Sequence, residues 1–438
     1  MAFLDETGLV EVWRLTEDRA DGKIGDTLTT MRTDFGEEFL LCNGEVVSVL
    51  KYPKLVELLK QNFTLEDFRI ADVWGSTSSG ISYAPVYCIA YANDYWVIGG
   101  YYYDGSTRYA RIAYATDLNG EWTIKDLWSG ASSALINCIT YANGYWVVGG
   151  KRAPGSSMSA YIAYTTDPAG EWTTKEVWYT SGTSEIHSIT YADGYWAVAG
   201  VRSTNSTGEA CVAYTTDLTG SWARKAVWDH SSSAGAYCIA YANGYWVVGG
   251  YYGPSLSTYY GRISYATSLI GEWKTKYLWS SSKASSSIPV ACVAYANGYW
   301  VVGGTSCGGE NKYYASVAYT TDPAGEWTIQ DLWGGSSSNA NRVYSIAYAD
   351  DRWVVGGRDV ANDCAKTASA TNPAGAWTEN VTWNGGGIMC VAYANEQLIV
   401  GGFHNSDSYY ARIAMQTENA RLPVISGDVY TYIKALEE

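Results

Sequence analysis

The sequence predicts an all-β protein dominated by a seven-bladed β-propeller of four-stranded blades, and three repeated elements predict it. Near-copies of A-N-G-Y-W-V-V-G-G recur with turn residues at Asn93, Asn143, Asp193, Asn243, Asn297, Asp350 and Asn395, at intervals of 50, 50, 50, 54, 53 and 45 residues. A segment like T-T-D-P-A-G-E-W follows once per interval, ending at Trp122, Trp172, Trp222, Trp273, Trp327 and Trp377. A strand ending at Trp74, Trp128, Trp178, Trp228, Trp279, Trp333 or Trp383 closes each unit. With the tryptophans of the first element, every Trp but Trp13 has a place in the pattern. A fixed period of this length marks a repeat architecture.

Each unit reads as four short strands. In the second, Cys138-Ile-Thr-Tyr-Ala runs into Asn143-Gly144, and Tyr145-Trp-Val-Val-Gly-Gly returns and ends there. Asn-Gly between two such runs signals a hairpin, because a type I′ turn needs positive φ twice. Ala160-Tyr-Ile-Ala-Tyr-Thr-Thr then meets Asp167-Pro-Ala-Gly, and Trp172-Thr-Thr-Lys-Glu-Val-Trp178 leaves it. Pro168 presets φ, Asp167 accepts backbone N–H groups across the turn, and Gly170 is expected in the left-handed region. Four strands per repeat without helical periodicity indicate propeller blades.

The seventh unit lacks its own closing strand, and Phe68-Arg-Ile-Ala-Asp-Val-Trp74 aligns with Trp122-Thr-Ile-Lys-Asp-Leu-Trp128. Residues 68–74 are therefore expected to form the outer strand of blade seven, covering sheet edges that would otherwise invite aggregation. The domains expected are 1–67, the propeller at 68–417, and 418–438, which joins the first.

Composition narrows the function. With 46 Gly, 39 Tyr and 20 Trp against six Phe and three His, polar-tipped aromatics replace most Phe. A net charge of −15 disfavours nucleic acid as a partner. No run of 18 apolar residues occurs, so no membrane insertion is expected, and the acidic start M-A-F-L-D-E is unlike a signal peptide. Cys88, Cys138, Cys238, Cys292 and Cys390 share one slot with Ser188 and Ser345, which asks only for a small buried side chain. No C-x-x-C pair occurs, and His187, His230 and His404 are read as loop residues without ligand spacing, so no metal and no cofactor are expected.

In a propeller the two tight hairpins emerge on one face and the remaining connections on the other. Here the tight turns barely vary between blades, whereas the other connections vary in length and content. Their Tyr, Ser, Gly, Asn and Arg resemble an adaptable recognition surface. The candidate ligand-binding residues are Tyr101, Tyr102, Tyr103, Arg108, Arg152, Tyr251, Tyr252, Tyr259, Tyr313 and Tyr409. Tyr109, Tyr260, Tyr314 and Tyr410 can equally be packing residues. Catalytic residues are not expected: no G-x-S-x-G elbow or phosphate-binding glycine loop occurs. A sialidase-type glycan-cleaving enzyme is the alternative. It would need an arginine triad, and Arg108, Arg152, Arg202 and Arg358 come from different blades.

Two resemblances add to this reading. T-T-D-P-A-G-E-W resembles the Asp-box of sialidase-type propellers, with its glycine displaced by one position, and implies a structural turn. Phe39-Leu-Leu-Cys-Asn-Gly and Tyr52-Pro-Lys-Leu near the start resemble the phage tail-collar family, as do Arg421-Leu-Pro-Val-Ile and Tyr430-Thr-Tyr-Ile-Lys near the end. Phe3-Leu-Asp-Glu-Thr-Gly-Leu9 is similar to the first residues of many tail and fibre proteins. The resemblance implies a small collar-like α+β domain built from both termini, attachment to other tail or particle proteins, and a trimer. It also implies a place in the virion tail. The function expected is then receptor binding: recognition of a host cell-surface glycan or protein by the variable face. A purely structural tail subunit is a further alternative.

Overall fold

The computed structural model describes residues 68–75 and 84–416, apart from residues in several loops, together with short strands near both ends of the chain. The chain divides into two compact units, one of Ile70–Met415 and one of Met1–Arg69 with Gln416–Glu438.

The larger unit is a seven-bladed propeller, each blade an antiparallel sheet of four strands. Blade two shows the pattern, with Ser133–Ala142 innermost, then Tyr145–Ala153, Met158–Thr165 and Thr173–Thr180. The innermost strands of successive blades touch in an unbroken cycle, and the seventh returns to the first. In blade seven the order is Gly386–Ala394, Gln397–Asn405, Tyr409–Gln416 and then Phe68–Gly75. Across that last pairing, Arg412 makes two hydrogen bonds to Asp72, at 2.7 and 2.9 Å.

Local chemistry explains the strands. Asn143 and Gly144 sit at φ 48 and 80, as a type I′ turn demands, and the pair repeats at Asn243 and Gly244. At the second hairpin, Asp167 Oδ1 accepts from the Ala169 N–H at 2.9 Å, and Thr165 Oγ1 donates to the Asp167 carbonyl at 2.9 Å. Gly170 corrects the sequence reading, because it is not in the left-handed region. Its N–H closes the turn on the Asp167 carbonyl, which a Cβ would meet at 3.3 Å, so close approach explains the glycine.

The tryptophans divide by role. Trp146, Trp246, Trp300 and Trp353 are fully buried wedges within the sheets. Closing-strand tryptophans latch one blade to the next, except Trp228 of blade three, whose buried Nε1 has no hydrogen-bond partner among the described residues. Trp128 of blade one donates to the Lys151 carbonyl of blade two at 2.9 Å, and Trp178, Trp333 and Trp383 repeat this to Val201, Arg358 and Phe403. Lys175 of blade two adds a second latch, its Nζ donating to the Thr219 carbonyl in the blade-three turn at 2.6 Å.

The shared Cys/Ser slot is buried or half-buried. The Cys138 thiol faces the Gly149 carbonyl at 3.6 Å, and Ser345 Oγ accepts the Val391 N–H of the next blade at 3.0 Å. Burial pushes the Cys292 thiol up to about 12, so it stays a neutral packing group. Cys42 lies outside the described residues.

In the smaller unit, Tyr430–Lys434 lies between Thr27–Thr30 and Phe39–Leu41, and Val46–Ser48 pairs with Asn419–Arg421. The two ends of the chain thus share one sheet. Its described residues are strands only, and the expected collar-like segment at Tyr52-Pro-Lys-Leu lies outside them.

Candidate functional site

The repeated Gly-Gly does not end its strand, as its sequence suggested; the strand runs through it and reaches Tyr103 in blade one and Ala153 in blade two. The second glycine has a specific task. A Cβ on Gly150 would meet the Leu135 carbonyl at 2.0 Å, and Gly100, Gly200, Gly250, Gly304, Gly357 and Gly402 make the same approach. That contact accommodates a β-bulge: Gly149 pairs with Cys138 but Gly150 with Ile136, so Asn137 is the extra residue. Six further bulges leave Tyr87, His187, Tyr237, Ala291, Tyr344 and Met389 unpaired in the same way.

All seven extra residues line one depression of about 350 Å³, joined by Leu135, Lys151, Glu185 and Arg342. That volume lies in the range of small-ligand sites, roughly 300–1,000 Å³. The depression sits where innermost strands begin and second strands end, on the side of the variable connections. Blade three is the exception that explains the first glycine. Elsewhere a Cβ there would meet Ile or Val of the next blade, such as Ile186 against Gly149 at 2.7 Å. Blade three has Ala199 in this place, and blade four supplies the smaller Ala236 to the same cluster.

The depression is polar and organised around two charged centres. Glu185, 8% exposed, takes Lys151 Nζ at 2.7 Å on one oxygen and Asn137 Nδ2 at 2.8 Å on the other. Burial works against its ionisation, but His187 and Lys151 and the bonds from Lys151 and Asn137 outweigh it, holding the carboxyl below its ordinary value. Burial and, secondarily, Lys151 hold His187 below 6.5, against the opposing pull of Glu185. His187 is thus neutral at pH 7, where Lys151 is the cation beside Glu185. The His187 ring meets Tyr237 edge-on, with centroids 4.5 Å apart.

At the second centre, Arg342 donates from Nε to Thr305 Oγ1 at 3.1 Å, and its guanidinium lies 5.4 Å from the Tyr344 ring. Thr305 is itself fixed by donating to the Asn341 carbonyl at 2.9 Å. Burial raises the Tyr87 and Tyr237 phenols above their ordinary value, so both hydroxyls stay protonated.

These shifts give a pH dependence. Because folded His187 resists protonation, the unfolded chain takes up the extra proton below pH 6.5, and stability falls as pH drops through that window. Glu185 adds stability above 4.5 that is lost as pH falls through its lower folded value. Urea midpoints are expected to decline from pH 7 to 5, and less so in His187→Gln. Equal declines in both proteins would remove His187 from this account.

The candidate residues divide. Tyr101 is buried, 8% exposed, and stacks on Tyr87 of the depression at 6.1 Å. Arg108 lies over both Tyr101 and Tyr103, at 5.8 and 5.7 Å. Tyr251 contacts Tyr237 at 5.5 Å and Tyr259 at 6.5 Å. Two aromatic lines therefore run outward from the depression, along blades one and four. Tyr102, Tyr252 and Arg152 pack elsewhere. Tyr102 stacks under Arg111 at 4.0 Å and Tyr252 under Arg262 at 4.8 Å. Arg152 bonds the Ser129 carbonyl of blade one at 3.1 Å.

Several readings are corrected. Tyr313 is core, 5% exposed, and Tyr101 to Tyr103, Tyr251 and Tyr252 are strand rather than loop residues. His187 and His404 also lie on strands, Ser184–Ala192 and Gln397–Asn405. His230 and the Tyr409 side chain lie outside the described residues. Glu185, Arg342 and the bulge residues were missed. The available signal was a position of Tyr, Asn, His, Tyr, Ala, Tyr and Met just before a uniform Cys/Ser slot. Among the described residues no His, Cys, Asp and Glu cluster could hold a metal.

Fold and site together define a seven-bladed propeller with a polar central depression. No protein-family model matches the sequence, and no curated protein matches it. The chain is similar to solved structures of other propellers at low identity. Trypanosoma rangeli sialidase in complex with the inhibitor DANA is 11% identical, over 76% of this chain and 55% of that one, with a TM-score of 0.43. Chaetomium thermophilum Sqt1 is 11% identical over 76% and 83%, with a TM-score of 0.44. YCF48 bound to D1 peptide is 11% identical over 81% and 96%, with a TM-score of 0.48. The chain thus spans little more than half the sialidase, and these likenesses identify no ligand.

Proposed function

We propose that this protein is the receptor-recognition component of a phage tail or phage-derived particle, binding a host-surface glycan at the central depression of its propeller. The observation that carries the recognition reading is the ring of bulges. A repeat that holds its packing residues nearly constant turns one side chain per blade into a shared depression, and there, within otherwise uniform strands, the chemistry differs from blade to blade. The tail assignment rests on the collar-family resemblance of the two ends, which meet in one sheet. Attachment through that unit as a trimer would let modest sites act together.

Binding without bond cleavage is favoured by the state of Glu185. A carboxyl held below its ordinary value is ionised at neutral pH and serves poorly as a general acid. Among the described residues Arg342 is the single arginine lining the depression, where a sialidase-type clamp needs three. The test is binding of the full chain to a glycan array and to bacterial cells, beside Tyr237→Ala. Loss of roughly tenfold in affinity, about 1.4 kcal/mol, is expected. Retained binding in the variant would move the site elsewhere, and absence of any glycan binding would overturn the reading.

A further inference from the structure

We infer that the central depression selects a sugar bearing a single carboxylate, with Arg342 as the group that receives it. The inference rests on the glycan-recognition reading and specifies the ligand's chemistry.

Charge points to an anion. At neutral pH the depression holds Lys151, Arg342 and Glu185, with His187 neutral, so it carries a net positive charge inside a chain of net charge −15. Lys151 is already committed to Glu185 at 2.7 Å. Arg342 is not: the only hydrogen bond of its guanidinium among the described residues is from Nε to Thr305 Oγ1. That bond and the Tyr344 ring fix the plane of the guanidinium while leaving both terminal amino groups to donate. A guanidinium held this way presents the two-pronged donor pattern that matches a carboxylate.

The rest of the lining points to a polyhydroxylated molecule. The hydroxyls of Tyr87, Tyr237 and Tyr344 make no hydrogen bond among the described residues, and each phenol both donates and accepts. Three apolar side chains, Leu135, Ala291 and Met389, are too few for an apolar peptide anchor. Aromatic side chains continue outward from Tyr237 to the half-buried Tyr251 and Tyr259, which can take a further sugar ring, while the buried Tyr101 backs Tyr87 from behind. The overall negative charge repels a dense polyanion, so the carboxylate belongs on one residue of an otherwise neutral chain.

Calorimetric titration of the full chain with glucuronate and with methyl glucoside tests this, together with a neutral trisaccharide capped by glucuronate. Glucuronate is expected to bind roughly 10- to 100-fold more tightly than methyl glucoside, and Arg342→Gln to remove that preference. Arg342→Lys keeps the charge without the fork and should fall between, while Tyr237→Phe should weaken both ligands alike. Circular dichroism and melting temperature confirm that the variants fold. Equal affinity for the two monosaccharides, or an unchanged preference in Arg342→Gln, overturns the inference and leaves glycan recognition standing. No binding to any sugar, on a glycan array as in solution, overturns both.

Discussion

Replacing Gly150 by alanine is expected to destabilise the propeller by about 3 kcal/mol or more, a large effect for one added methyl group. The new Cβ would sit 2.0 Å from the Leu135 carbonyl and 3.0 Å from Ile136 Cα, both backbone atoms that no rotamer change can move. Relief requires undoing the bulge, which draws Asn137 back into the ladder and breaks its 2.8 Å bond to Glu185. Stability and site should therefore fail together. Two glycines act as controls. Gly144→Ala places a side chain at φ +80 with open space around it and should cost about 1–2 kcal/mol. Gly155→Ala meets nothing within 4 Å outside the left-handed region and should stay within about 1 kcal/mol of the parent. Denaturant midpoints at constant m-value rank the three. Equal values for Gly150→Ala and Gly155→Ala would remove the bulge from the explanation.

The same glycine shows what the sequence makes legible. The propeller was readable because its signals are local and repeated: Asn143-Gly144 needs only its own backbone, and Trp128 recurs wherever a blade must latch to the next. The closing strand was readable because Phe68–Trp74 copies a segment whose partner was missing. The depression was not, because a bulge shifts register without changing composition. Simple alternation carries no sign that Asn137 is an extra residue, and the Gly-Gly that permits it resembles a strand end. Loop-based reasoning therefore found the outer parts of the aromatic lines, Tyr101 and Tyr251, but stopped short of Tyr87 and Tyr237. Arg342 was overlooked because it precedes its bulge by two residues, and only the fold brings it beside Thr305 of the previous blade.

Cutting the chain after Gly75 is expected to abolish cooperative folding, although the segment removed from the propeller is a single strand at its rim. Trp74 is 5% exposed and donates to the Tyr101 carbonyl of blade one at 3.2 Å, so it joins the last blade to the first. Trp74→Ala alone should cost about 3–5 kcal/mol. The Arg412–Asp72 pair contributes far less, because Asp72 is about one-third exposed; Asp72→Asn should cost no more than about 1 kcal/mol. Loss of the whole strand also leaves Tyr409–Gln416 as an unpaired edge, open to other chains. Residues 76–416 are expected to elute as aggregate on size exclusion, with no sharp melting transition, whereas residues 68–416 should remain monomeric and melt cooperatively. A permuted chain separates closure from mere length: residues 76–416, then a copy of the turn Thr166–Trp172, then residues 68–75. It restores the fourth strand from the opposite end and should recover the transition. If residues 76–416 melt as sharply as residues 68–416, the ring does not depend on being closed by its own first strand.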